Sequence, residues 1–96
     1  MKVVLHRLAR EELVAAAQYL EAEAGFGADF LDAFETWAQT IRQFPESGPI
    51  IGHNIRKGLL LRFHYIIAYE IKYDAIRVLY IRHAKQKTPN WARRRG

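Results

Sequence analysis

The sequence predicts an α+β protein: an N-terminal strand, an antiparallel helix hairpin and a three-stranded antiparallel meander, with the helices packed on one face of the sheet. Apolar residues in the first half recur at the helical period of about 3.6 residues, whereas from Ile55 onward they recur at about every second residue. With 96 residues, 50% of them hydrophobic, the chain has enough material for one packed core. We therefore expect a single domain over residues 1–96.

The first half of the chain predicts one strand and two helices. Residues 2–6 form a short β-branched run that is typical of a strand. The first helix is indicated by an apolar stripe at helical spacing: Ala9, Leu13, Ala16, Ala17, Leu20 and Ala24. Gly25 and Gly27 interrupt the pattern, and a second stripe then runs to Phe44-Pro45: Phe30, Phe34, Trp37, Ala38 and Ile41. A connection of about three residues requires these helices to be antiparallel.

The second half predicts three strands over residues 55–61, 65–73 and 76–82. The middle strand alternates in a way that is typical of a half-exposed antiparallel strand, its outer face comprising Ile66, Ala68, Glu70 and Lys72. In the last strand, strict alternation groups Val78 with Tyr80 and places Ile81 on the opposite face. Residues 85–96 form a basic tail, which we expect to be mobile.

Charge is divided unequally along the chain. Residues 1–48 carry four basic and eight acidic side chains, a net charge of −4, whereas residues 49–96 carry eleven basic and two acidic side chains, a net charge of +9. An acidic half followed by a basic half indicates two surfaces with different partners, one of them acidic or polyanionic. The alternative is charge that only keeps a small domain in solution.

The residue types argue against several kinds of catalytic and metal site. The chain has no Cys, which removes disulfides, thiolate nucleophiles and zinc-thiolate sites. Ser47 is its one serine and lies in a predicted turn, and the four histidines lack the spacing of metal ligands. The glycines form no phosphate-binding pattern. We therefore predict no catalytic residue, no metal site and no cofactor.

Membrane insertion and secretion are not expected. Charged residues interrupt every apolar run well before the ~20 apolar residues that a membrane span requires. The acidic Glu11 and Glu12 follow Arg7 and Arg10, which is not the pattern of a signal peptide. A cytoplasmic location also fits the absence of Cys.

A basic and aromatic second half is the feature that points to binding. The candidate binding residues are Arg62, Arg82, His83, Lys85, Lys87 and Trp91. Cations with exposed rings between them suit a phosphate backbone with stackable bases, and they suit an acidic protein segment equally well. A nucleic-acid-binding module with no other activity is therefore one interpretation.

Several segments carry a family resemblance that extends over essentially the whole chain. They are residues 24–32 in the helix hairpin, 41–49 at the end of the second helix, 62–69 in the sheet, and 83–86 followed by Trp91. In this order they resemble the ParE branch of the RelE/ParE superfamily, the toxins of bacterial type II toxin-antitoxin pairs. The branch has Arg-Phe-Pro-Tyr where this chain has residues 62–65, and His-Gly-Arg-Arg where it has residues 83–86.

The departures from the superfamily bear on the choice between its two activities. The ribosome-dependent mRNA endonucleases of the RelE branch have arginines at the positions that resemble Ile66 and Gln86 here. An isoleucine can neither hold a phosphate nor stabilise the charge of phosphoryl transfer. Two smaller departures, His64 for the branch's Pro and Ala84 for its Gly, affect local backbone shape.

The resemblance implies a target-binding toxin rather than an enzyme: a protein that poisons DNA gyrase and is neutralised by a cognate, ParD-like antitoxin in a hetero-oligomeric complex. It assigns the target surface to Arg82, His83, Lys85, Lys87 and Trp91, with Arg62 supporting the sheet edge. The antitoxin's extended segment is expected to contact Tyr19, Trp37, Ile50 and Ile51, although the helical spacing of Trp37 also fits plain core. A RelE-like mRNA endonuclease using other residues is the alternative activity.

Overall fold

The computed structural model of the protein describes residues 1–95. The two α-helices pack on one face of a mixed sheet. The helices are α1 (Arg7–Ala24) and α2 (Gly27–Gln43), and the strands are β1 (Lys2–Leu5), β2 (Ile50–Gly52), β3 (Ile55–Leu60), β4 (Tyr65–Lys72) and β5 (Ala75–His83). Short 3-10 helices occupy Leu61–Phe63 and Trp91–Arg94. The sheet order is β1-β5-β4-β3-β2, with β1 parallel to β5 and the other neighbours antiparallel.

The predicted α+β class and element order are confirmed, and the three meander strands differ from their predicted bounds by at most one residue at either end. The sheet of residues 1–95 has five strands, however, where the sequence predicted four. The additional strand is β2, which spans only three residues and pairs with β3 in an irregular register. So short a strand presents no readable alternation, which is why the sequence did not reveal it.

The helix hairpin depends on backbone geometry at its two glycines. Gly25 ends α1 with a left-handed backbone (φ +73°), and its N–H donates to the Glu21 carbonyl over 2.9 Å. Gly27 begins α2 where the helices approach closely: a Cβ there would lie 2.9 Å from the Ala17 carbonyl oxygen. The Gly27 N–H also donates to Glu21 Oε1 over 3.1 Å. The turn between the helices is thus defined by contacts that a side chain at position 27 would disturb.

A β-bulge changes the side-chain alternation of β5. Tyr69 pairs with Val78, but the residue before it on β4 pairs with Tyr80, so Leu79 is an extra residue in the ladder. Leu79 and Tyr80 consequently both lie away from the helices, while Val78 and Ile81 both join the helix-side core. The predicted grouping of Val78 with Tyr80, and of Ile81 on the opposite face, was wrong because the bulge reverses the alternation.

Both faces of the sheet are covered in part. The helix-side core joins α1 and α2 to side chains that include Phe30, Tyr65, Ile67, Tyr69, Ile76, Val78 and Ile81. A smaller cluster on the opposite face contains Ile55, Ala68, Leu79 and Tyr80, with Ile66 and Trp91 packed against it. The prediction of a half-exposed β4 was wrong for Ala68 and for Glu70, which is 2% exposed. The segment that covers this face is the C-terminal Trp91–Arg95, part of the predicted tail; Gly96 lies outside the described residues.

Tyr69 fastens the loop between α2 and β2 to the centre of the sheet. Its hydroxyl donates to the Pro45 carbonyl over 2.9 Å and accepts the Gly48 N–H over 3.1 Å. Burial raises the pKa of this phenol, which favours the protonated form that donates. The Trp37 ring packs against Tyr69 with centroids 5.6 Å apart and lies directly over Gly58 of β3, where any Cβ would collide with the indole.

Replacing Tyr69 with Phe should therefore destabilise the fold. The change leaves the buried Gly48 N–H without its acceptor, so we expect the free energy of unfolding to fall by about 1–3 kcal/mol in urea titrations. Tyr73→Phe is the matched control, because Tyr73 is 85% exposed and its replacement should leave stability unchanged. Equal stability of Tyr69→Phe and the unmodified protein would contradict this role.

Candidate functional site

A groove of about 690 Å³ lies between α1 and the C-terminal end of β5. We call it the basic groove; its lining comprises Glu12, Ala15, Ala16, Tyr19, Tyr65, Ile81, Arg82, His83, Gln86, Lys87 and Pro89. The groove brings together Arg82, His83 and Lys87, three of the six residues of the predicted target surface. It also contains Tyr19, which the sequence assigned to the antitoxin, so residues of the two predicted surfaces meet here.

Arg82 organises the turn that follows β5. Its Nη1 donates to the carbonyl oxygens of His83, Ala84 and Gln86 over 3.2, 3.1 and 3.0 Å. The turn is closed further by Gln86, whose Oε1 accepts the His83 N–H over 2.7 Å. The guanidinium of Arg82 is therefore engaged by its own chain, whereas Lys85 and Lys87 on the same segment are exposed. The exposed cations of this turn are the two lysines.

His83 and Tyr65 form the aromatic part of the groove. Their rings meet edge to face, with centroids 5.3 Å apart and an interplanar angle of 88°. The His83 Nδ1 accepts the Lys85 N–H over 3.1 Å, which leaves Nε2 to carry the ring proton. Burial raises the pKa of Tyr65, so its hydroxyl remains a neutral hydrogen-bonding group. Tyr19, 60% exposed, lies at the mouth of the groove.

Glu12 is the acidic residue of the groove, and its charge is already paired. Glu12 Oε1 lies 2.8 Å from Arg94 Nη1 and accepts the Ile81 N–H over 3.1 Å. Because Oε1 is already engaged by the protein itself, this carboxylate is poorly placed to contact a bound group. Lys87 is the lysine of the groove lining, and its side chain is exposed.

Sequence reasoning did not single out Glu12 or Tyr65 as groove residues. One signal was available for the helix: Glu12, Ala16 and Tyr19 follow one another at i, i+4 and i+7, which places them on a single face of α1. The sequence carried no signal for Tyr65, because its meeting with His83 depends on the β4–β5 register.

Three residues of the predicted target surface do not line the groove: Arg62, Lys85 and Trp91. Lys85 is exposed on the turn that follows β5. The Arg62 guanidinium lies over Phe26 and Phe63, at 5.0 and 4.9 Å from the ring centroids, and 3.4 Å from Asp29 Oδ2. It therefore joins the helix hairpin to the end of β3. Trp91 packs on the sheet face opposite the helices, 5.4 Å from the His53 ring.

A second, shallower groove lies between α2 and the end of β3. This apolar groove has a volume of about 410 Å³ and is lined by Ala33, Thr36, Trp37, Thr40, Leu59, Leu60, Leu61, Arg62 and Phe63. Trp37 is half-buried here, against both the core and the groove. Ile50 and Ile51 are exposed on the neighbouring β2. The residues predicted to bind an antitoxin are thus divided: Trp37 lines the apolar groove, Tyr19 lines the basic groove, and Ile50 and Ile51 line neither.

In the part of the chain that the structure describes, residues 1–95, no group of three or more His, Asp or Glu side chains is arranged to hold a metal ion. Nor does any of its helices combine the length and the apolar character that crossing a membrane requires.

Comparisons with known proteins agree with the fold. A family model described as "ParE toxin of type II toxin-antitoxin system, parDE" matches residues 3–88. A solved structure described as "Chromosomal ParDE TA system from P. aeruginosa" has the same fold, with a TM-score of 0.66 at 18% sequence identity. That match covers 88% of this chain and 97% of the other. No curated protein matches the chain.

The arrangement around Arg82 predicts different effects for two neighbouring cations. Arg82→Gln removes the donor that holds the turn, so we expect the free energy of unfolding to fall by about 1–2 kcal/mol and the Gln86 amide to exchange faster with solvent. Lys87→Gln removes the same charge from an exposed side chain and should change neither quantity. Hydrogen exchange and urea unfolding of both variants test this; equal effects would show that Arg82 does not organise the turn.

Proposed function

Because the chain belongs to the ParE toxin family of type II toxin-antitoxin systems, we propose that it arrests bacterial growth by binding DNA gyrase through the basic groove. The observation that carries the proposal is the pair of exposed lysines, Lys85 and Lys87, beside the ordered His83–Tyr65 pair. Positive charge at the rim of a cleft attracts an acidic protein surface and speeds association. Such a toxin acts in the cytoplasm, where its target is found.

Ile66 and Gln86 stand at the positions where the RelE-branch endonucleases have arginines, and their surroundings favour target binding over RNA cleavage. Ile66 packs against the apolar cluster on the sheet face opposite the helices, so this position contributes no charge to the groove. Gln86 uses its side-chain oxygen to accept the His83 N–H. Glu12, the acidic residue of the groove, is paired as well, so neither it nor these two positions offers a free group for acid–base chemistry.

An antitoxin is the second partner that we propose, and the apolar groove is its docking surface. Leu61 is 72% exposed at one end of this groove, beside Trp37. Within the described residues, β2 pairs only with Ile55 and Arg56, so the outer edge of β3 beside Leu59 carries no neighbouring strand. An open edge next to an apolar groove suits an extended segment that adds main-chain hydrogen bonds and inserts apolar side chains.

The growth-arrest proposal predicts which synthesis stops first. On induction without antitoxin, DNA synthesis should stop before protein synthesis, and the purified protein should make gyrase accumulate cleaved DNA. Reversing Lys85 and Lys87 to Glu should weaken the effect roughly tenfold or more, since the attracting charges are inverted. The matched control, Lys2→Glu with Arg10→Glu, changes exposed cations outside the groove.

Other outcomes would identify the alternatives. If protein synthesis stops first, the protein is an mRNA endonuclease that uses other residues. If growth continues while binding to DNA or RNA is tight and steeply salt-dependent, it is a nucleic-acid-binding module. Full activity of the Lys85 and Lys87 double variant would exclude the basic groove as the target surface.

The antitoxin proposal predicts that one substitution weakens antitoxin binding without reducing toxicity. Leu61→Asp places a charge in the apolar groove, so we expect it to weaken a complex with the product of an adjacent short reading frame by roughly tenfold or more. Toxicity without antitoxin should persist, because Leu61 does not line the basic groove. Titration calorimetry measures the first effect and colony counts the second; unchanged affinity would exclude this docking surface.

A further inference from the structure

We infer that residues 91–95 form a latch across the sheet, and that Arg94 acts as a positioning residue by keeping the Glu12 carboxylate paired within the basic groove. Residues 91–95 lie beyond the segment 3–88 that the family model matches, and the proposed target contact does not explain their packing. It also changes the role of Trp91, from a residue that meets a partner to one that anchors the latch.

The contact between Arg94 and Glu12 holds the latch at the edge of β5, and we call this contact the clasp. Pairing between β1 and β5 ends at Leu5 and Val78, and α1 begins soon afterwards. Among residues 1–95, the following part of β5 therefore has no parallel neighbour. The side chains of Glu12 and Arg94 form hydrogen bonds with the β5 backbone where a neighbouring strand would otherwise do so. Glu12 accepts the Ile81 N–H, and Arg94 Nη1 donates to the Leu79 carbonyl over 3.0 Å while lying 2.8 Å from Glu12. Their side chains are only 27% and 11% exposed, respectively.

The anchor of the latch is a buried carboxylate on the opposite face of the sheet. Glu70 is accompanied by Arg95, whose Nε lies 3.1 Å from Oε1, and by Arg77, 3.7 Å from Oε2. Arg77 also donates to the Arg95 carbonyl over 3.1 Å. The docked tail supplies Arg95, the nearer of the two cations, and losing one partner of a buried carboxylate is costly, so Glu70 favours the closed tail. The Arg95 guanidinium lies 5.7 Å from the centroid of the Trp91 ring. The same ring packs on His53.

Opening the latch would change the charge of the basic groove. Without Arg94, Glu12 becomes an unpaired carboxylate in the same groove as Lys87 and partly offsets its positive charge. The Leu79 carbonyl would also lose its donor at the strand edge. The docked tail therefore favours anion binding in a groove that it does not line.

A pair of adjacent variants tests the clasp on the isolated full-length protein. Arg94→Ala should speed exchange of the Ile81 amide by roughly tenfold, because Glu12 is no longer held against it. His6 gives a second readout: burial lowers its pKa, nearby Arg94, Arg7 and Arg77 lower it further, and Glu12 raises it. Loss of Arg94 should therefore raise this pKa in NMR titrations. Arg93→Ala removes the same side chain from an exposed neighbour and should change neither readout.

Binding of inorganic tripolyphosphate tests the effect on groove charge. Arg94→Ala should weaken binding by about three- to tenfold, and Glu12→Gln combined with Arg94→Ala should restore it by removing the unpaired charge. Arg94→Lys keeps the positive charge, so its affinity should lie between those of Arg94→Ala and the unmodified protein. If Arg94→Ala fails to fold, Arg94→Lys is used in its place. Equal behaviour of the Arg93 and Arg94 variants, no rescue by Glu12→Gln, or no binding by the unmodified protein would each overturn the inference. None of these measurements involves gyrase, so their failure is distinct from that of the proposed function.

Discussion

The extra residue in β5 is the constraint on which the rest of the structure depends. Because Leu79 is not matched on β4, the side chains before and after it exchange faces. Val78 and Ile81 consequently both contact the helices, and Leu79 and Tyr80 together form an apolar cluster on the other face. That cluster gives the C-terminal segment something to pack against, and the same shift directs His83 towards Tyr65. One inserted residue thus accounts for both the covered second face and the aromatic part of the basic groove.

Some of the opposite charges on the two halves of the chain pair with each other in the folded protein. Acidic residues of the first half meet basic residues of the second half in two ion pairs, Asp29 with Arg62 and Glu12 with Arg94. The first is exposed and contributes little to stability, whereas the second is largely buried and also carries strand-edge hydrogen bonds. Lys85 and Lys87 remain exposed after this pairing. Two of the exposed cations of the second half therefore lie on the turn that follows β5.

Hydrophobic periodicity was sufficient to predict both helices and the meander strands, because each is long enough to show a repeat. β2 and the bulge were missed for opposite reasons: β2 is too short to show alternation, and the bulge interrupts alternation that was assumed to be regular. The basic groove was predicted only as a set of cations. Glu12 meets Ile81 and Arg94 across 69 and 82 positions of the chain, and the residues between them give no sign of such a contact. Contacts of this kind follow from the sheet order and become visible only in three dimensions.

The contact between Trp37 and Gly58 has a consequence for how this fold tolerates sequence change over evolutionary time. The indole occupies the space that any side chain at position 58 would need, so the two positions share one fixed volume between α2 and β3. A larger residue at 58 is compatible with the same backbone only where position 37 has become smaller. Since Trp37 also forms a wall of the apolar groove, such a paired exchange would reshape that surface while preserving the core. Related chains could in this way diverge in what they bind without diverging in fold.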